Sequence, residues 1–194
     1  APFGAAIHAP WALVVGARMR ERFGADVQAM HTDDGLVFRL LDTEGDDDTL
    51  TAALLEAIVL DPDEITARVT DEVGGTALFA SRFRECAARA LLLPRQNPGR
   101  RQALWQQRQR AAQLLEVASD YPSFPIVLEA VREVLQDVYD VPGLVELMRS
   151  VDRRAIQVVR TETTSPSPYA KAMLFSYVAQ FLYEGDSPLA ERRA

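Results

Sequence analysis

An α+β fold, mainly helical with a small antiparallel β-sheet, is predicted from three observations. Apolar residues recur at three- and four-residue steps through most of the 194-residue chain. Two short β-compatible runs flank an Asp-Gly step at 26–41, and a third β-branched run lies at 155–163. With 48% hydrophobic and 25% charged residues, the chain has the apolar mass for a core. Its unbroken apolar runs are short, as in Ala90-Leu91-Leu92-Leu93. A membrane span needs about 20 such residues, so no membrane partner is expected.

Each element follows from local chemistry. Residues 9–23 read as a helix through Trp11, Val14, Val15, Arg18 and Met19, with Pro10 in the first turn and Gly24 as the stop. Asp33-Asp34-Gly35 joins two strands into a hairpin, because Asp-Gly suits the backbone angles of a tight turn. Residues 50–60 and 63–73 are helical around Asp61-Pro62, and Gly74-Gly75 breaks the chain. Residues 76–93 form a strong helix, with Phe79, Phe83, Cys86, Ala87, Ala90 and Leu91 in one stripe, ended by Pro94. Further helices are expected at 100–118, 124–139 and 142–151, then a strand at 155–163. Ser167 and Pro168 supply the cap and first residue of a last helix reaching about 183. The expected organisation is one domain over 1–194, with a helix-plus-hairpin portion at 1–45 and a mainly helical portion at 76–194. Residues 189–194 read as a helix cut in mid-turn, so the chain is expected to be a piece of a longer protein.

Several chemistries are excluded. One cysteine, Cys86, allows no internal disulfide and no structural zinc site, and fits a reducing, cytoplasmic setting. Of 21 basic residues only Lys171 is a lysine, and it lies in Tyr169-Ala170-Lys171-Ala172, not after a glycine-rich turn. A phosphate-binding loop needs that lysine, so no nucleotide cofactor is expected within these residues. His8 and His31 cannot form a His-x-x-x-His metal pair, and no Gly-x-Ser-x-Gly elbow occurs. Glu44-Gly45-Asp46-Asp47-Asp48 reads as a solvated loop, Asp33-Asp34 as a turn, and Cys86 as packing.

The net charge of −7 conceals an asymmetry. Residues 33–72 hold 13 acidic residues and two arginines, whereas 86–115 hold six arginines and no acid. An acid-free basic segment in an acidic protein is a candidate polyanion surface; the alternative is a solvated face balanced by carboxylates nearby in space. Within it, Arg101, Trp105 and Arg108 stand at i, i+4 and i+7, hence on one helix face, and Arg95 and Arg100 extend the charge. An aromatic plane beside cations suits single-stranded nucleic acid, whose bases stack on the ring while arginines hold the phosphates. The competing reading is that Trp105 only packs against a neighbouring helix.

These residues also carry a resemblance. Six blocks resemble the Lhr-type (large helicase-related) superfamily-two helicases: Pro2-Phe3-Gly4 with His8-Ala9-Pro10-Trp11-Ala12; Asp33-Asp34-Gly35; Ser81-Arg82-Phe83-Arg84-Glu85 with Ala88-Arg89-Ala90-Leu91-Leu92-Leu93-Pro94; Leu104-Trp105-Gln106-Gln107-Arg108-Gln109; Tyr121-Pro122-Ser123-Phe124-Pro125-Ile126; and Pro166-Ser167-Pro168-Tyr169 with 183–193. The region resembles the helicase-associated domain that follows two RecA-like motor domains and a winged-helix domain. The resemblance implies an ATP-dependent 3′-to-5′ translocase acting in DNA repair. Single-stranded DNA and RNA–DNA hybrids would be its partners, with ATP and Mg2+ held by motor domains outside this chain. It also implies that Trp105 stacks on the strand and that Leu36, isoleucine in many relatives, sits against it. Two other readings stand beside it: a protein-interaction module using the acidic 33–72 region, and a small hydrolase using Asp33, Asp34 or the 44–48 carboxylates.

Overall fold

The computed structural model describes residues 2–23, 27–40, 47–93, 104–161 and 163–185. The first helix, α1 (Ala5–Phe23), leads into an antiparallel hairpin of β1 (Val27–Thr32) and β2 (Gly35–Leu40), paired from Val27 opposite Leu40 to Thr32 opposite Gly35. Helices α2 (Asp47–Ile58), α3 (Ile65–Val73), α4 (Ala77–Arg89), α5 (Leu104–Ser119), α6 (Pro125–Glu133), α7 (Val141–Asp152) and α8 (Pro168–Gly185) follow. Among the described residues the fold is mostly helical with a small antiparallel sheet, as predicted, and that sheet holds two strands. No helix among the described residues is long and apolar enough to cross a membrane.

The hub is α1, which packs against the hairpin, α2, α3 and α7. Val14, Val15 and Met19 of α1 meet Ile65, Val69 and Val73 of α3, Phe79 and Phe83 of α4, and Leu144 and Met148 of α7 in one core. Burying a side chain of this size contributes about 1.5–3 kcal/mol, which explains why these stripes, and not local propensity, set the helix orientations. Trp11 adds a polar tie, donating from Nε1 to the Ile58 carbonyl at 2.8 Å.

Side-chain caps open α4 and α8, the second as the sequence predicts. The Thr76 hydroxyl accepts from the Phe79 amide at the start of α4, and Ser167 Oγ accepts from the Ala170 amide at the start of α8. Elsewhere the structure differs. Helix α1 starts four residues earlier than predicted and runs through Pro10. The proline leaves the Ala6 carbonyl without its helical donor, and the Asp140 amide fills the place at 2.9 Å. The expected helix at 124–139 closes with a π-helical turn, Val134–Val138, in which the Tyr139 amide reaches the Val134 carbonyl at 2.9 Å. Asp47 and Asp48, expected in a loop, belong to α2.

The predicted strand at 155–163 is not formed among the described residues, which are irregular there. Arg154 takes a positive φ of 58°, and the amides of Ala155 and Ile156 both bond the Ser150 carbonyl, turning the chain off the end of α7. β-branched residues favour extended backbone, but a strand needs a partner edge. The sheet ends at β1 and β2, with α8 packed against β2.

Candidate nucleic-acid interface

Helix α5 carries the leading candidates. Its buried side is set by Ala111 and Ala118, with Leu114 and Leu115 half-buried beside them, and this stripe lies against α4. Trp105 falls outside that stripe, in the first turn of α5, and is 63% exposed. It is therefore not a core residue, and the packing alternative is set aside. Arg108 is exposed three residues further on, so ring and guanidinium occupy neighbouring turns of one face. Arg95, Arg100 and Arg101 lie outside the described residues.

Between α4 and α5 runs an open groove of about 530 Å³, lined by Ser81 and Arg84 from α4 and by Arg108, Ala112, Glu116 and Ser119 from α5, among others. Trp105, Ala112 and Glu116 are spaced i, i+7 and i+11, which places them on one helical stripe. Trp105 thus shares its helical stripe with two residues of the α5 wall. Neither Ser81 nor Arg84 was singled out from the sequence. Both sit in the Ser81-Arg82-Phe83-Arg84-Glu85 block beside the buried Phe83, and only the packing of α4 on α5 turns them toward Arg108.

Leu36 is positioned separately. It is the second residue of β2, just after the turn and opposite His31, and is half-buried. The hairpin tip is pinned to the start of α1 by three hydrogen bonds. The Gly4 amide donates to the Asp33 carbonyl at 3.2 Å and the Ala5 amide to Asp33 Oδ1 at 2.8 Å. His8 Nδ1 donates to the Thr32 carbonyl at 2.6 Å, and His8 is fully buried. A carbonyl can only accept, so the bond fixes the Nδ1–H form. The Asp33–Asp34 pair is a turn, as expected, and its first carboxylate is engaged by α1. The hairpin packs on α1 and α8 while α5 packs on α4, so Leu36 and Trp105 are held by different neighbours.

Charge pairing divides the arginines. Four carboxylates meet four arginines around α1: Glu64 with Arg18, Glu72 with Arg20, Glu56 with Arg22, and Glu21 with Arg68. Arg89, from the acid-free segment, pairs with Glu133 of α6. Arg108 makes no ion pair among the described residues. Cys86 is buried; burial, then the neighbouring Glu133 carboxylate, pushes its thiol pKa up, which makes it a poor nucleophile.

A family model described as DEAD/H associated matches residues 1–170. The chain belongs to the DEAD/H associated family. Over 193 residues this DEAD/H associated chain is 61% identical to the Lhr helicase/probable uracil glycosylase of Mycolicibacterium smegmatis, covering 100% of itself and 12% of that protein. It is 50% identical to the Lhr helicase/uracil glycosylase of Escherichia coli, with the same coverage. A solved structure of Mycobacterium smegmatis helicase Lhr bound to ssDNA and AMP-PNP matches with a TM-score of 0.78 and 56% identity, over 90% of this chain and 22% of that one. The Lhr-type resemblance read from the six blocks is thereby borne out. The chain spans about an eighth of the length of those curated relatives.

Proposed function

We propose that this chain is the strand-gripping accessory domain of an ATP-dependent 3′-to-5′ Lhr-type helicase that unwinds DNA or RNA–DNA hybrids in DNA repair. The observation that carries the reading is the exposure of Trp105 beside Arg108, which has no ion-pair partner among the described residues. A large aromatic ring left in solvent gains nothing for the fold, whereas a base stacked on it contributes about 1–3 kcal/mol. Arg108 then neutralises a phosphate and releases its counterion, and Leu36 supports the strand from the hairpin. Arg95, Arg100 and Arg101 extend the contact along the preceding segment. ATP and Mg2+ act in RecA-like motor domains of the parent protein, which works in the cytoplasm with its winged-helix domain alongside. The role of this region is positional: a fixed aromatic holds the strand between ATP-driven steps, so that domain motion becomes directed movement.

The protein-interaction alternative is weakened by Glu56, Glu64 and Glu72, which answer arginines of α1 instead of facing a partner unpaired. The test is Trp105→Ala in the full-length helicase. Single-strand affinity is expected to fall by about 1–3 kcal/mol, and unwinding to suffer more than ATP turnover. Unchanged strand affinity would remove the reading.

A further inference from the structure

The α4–α5 groove carries an inference that the family resemblance does not assign. We infer that Arg84, held by Ser81 on α4, faces the strand with Arg108 as a second phosphate clamp, and that the nucleic-acid backbone runs from Trp105 into this groove. The inference rests on the strand-gripping reading of Trp105 and names a further part of the same path.

Three observations support it. Arg84 and Arg108 line one groove from opposite helices, and Trp105 shares the helical stripe of the lining residues Ala112 and Glu116. Both arginines lack carboxylate partners among the described residues, although eight other arginines are ion-paired. Arg84 is half-buried and bonded instead to a neutral hydroxyl, Ser81 Oγ, at 3.3 Å. That bond orients the guanidinium and leaves its charge uncompensated, the condition under which an arginine meets a phosphodiester oxygen. Glu116 is the one carboxylate among the described lining residues. It stands eight residues, about 12 Å, along α5 from Arg108, so the positive end of the groove is the end nearer Trp105. Ser119 contributes no donor, because its hydroxyl bonds the Leu115 carbonyl. A larger groove beside α1 offers no such site: its lining is mostly apolar, and its arginine, Arg20, is paired with Glu72.

The experiment measures single-stranded DNA affinity of the full-length helicase against salt concentration, with melting temperature recorded for each variant. Arg84→Gln is expected to lower the log–log salt slope by about 0.7, a loss of roughly eightfold in affinity at 50 mM salt that shrinks to roughly threefold at 200 mM. Arg84→Lys keeps the charge and should restore most of the slope. Arg82→Gln, two residues away and paired with Glu85, should leave the slope unchanged. Trp105→Ala is run in parallel. If Trp105→Ala weakens binding while Arg84→Gln binds with an unaltered slope, the groove assignment is overturned and the grip reading survives. If Arg84→Gln loses slope while Trp105→Ala binds normally, Arg84 keeps its phosphate contact, but the Trp105 reading falls and the path from Trp105 into the groove is overturned with it. An Arg84→Lys variant as weak as Arg84→Gln would make the role structural and also overturn the assignment.

Discussion

The amide of Asp140 donates to the carbonyl of Ala6 across 2.9 Å, taking the place of the N–H that Pro10 cannot supply. One residue thereby serves two helices, because the Asp140 side chain also caps α7 by accepting from the Gly143 amide at 2.8 Å. Gly143 is needed for that cap: a Cβ there would lie 2.3 Å from Asp140 Oδ2. Asp140→Ala is expected to cost about 0.5–2 kcal/mol through the lost cap. Gly143→Ala would forfeit the same cap, which offsets the helix-propensity gain of about 1 kcal/mol. In an Asp140→Ala background that gain should reappear, so Gly143→Ala turns stabilising. A double-mutant cycle by chemical denaturation measures this, and simple additivity would count against the shared cap.

Cys86 predicts a pH dependence. Burial raises its folded-state pKa above the unfolded value of about 8.5, with Glu133 adding to the shift. The unfolded thiol therefore loses its proton first. Its contribution to stability is complete below about pH 8.5 and is lost as pH rises toward the folded pKa. Tyr139, also raised by burial, acts in the same direction from about pH 10. Cys86→Ala should flatten the alkaline slope of unfolding free energy above about pH 8.5. Alkylation of native Cys86 should proceed only as fast as the chain opens; rapid labelling under native conditions would contradict the buried, protonated thiol.

The sequence revealed elements whose periodicity is their own. Phe79, Phe83, Cys86 and Ala87 announced α4, and Asp33-Asp34-Gly35 announced the hairpin turn, because each signal acts within one element. It also places Trp105 on one helix face with Arg101 and Arg108. What it could not show depends on long-range pairing. Pro10 looked like a helix start because its rescue by Asp140 comes from 130 residues away. Residues 155–163 looked like a strand because β-branched composition encodes extended backbone but not a partner. The role of Arg84 is not legible in the sequence, because its value as a cation depends on which arginines find carboxylates, and that is settled only by packing.

Trp105→Ala also predicts a stability outcome separate from binding. A tryptophan truncated in a core costs about 3–5 kcal/mol, but this ring is 63% exposed. The unfolding free energy should shift by about 0.5 kcal/mol or less, the range of surface substitutions away from special contacts. A fall of several degrees in Tm would instead place the ring against the protein and undercut its role as a stacking platform.

Asp33 gives the last prediction, because two roles for its carboxylate make opposite demands. As a metal ligand it would be free to coordinate, and a cation binding only the folded state would raise stability by mass action. As a cap it is already committed, accepting from the Ala5 amide where α1 begins. The first amides of a helix have no intrahelical acceptors, and a carboxylate there also meets the positive end of the helix dipole. Asp33→Ala should therefore cost about 0.5–2 kcal/mol, and Asp33→Asn less, since the amide oxygen can still accept. Titration with magnesium, manganese or calcium should leave Tm unchanged in the parent chain. A saturable rise of several degrees that disappears in the Asp33→Asn, Asp34→Asn double variant would assign the pair to a metal. Because the Ala5 and Gly4 bonds and His8 hold the same turn, Asp33→Ala should also loosen the hairpin that carries Leu36. Amide exchange along β1 and β2 should then quicken more than exchange in α7, which separates loss of this anchor from general destabilisation.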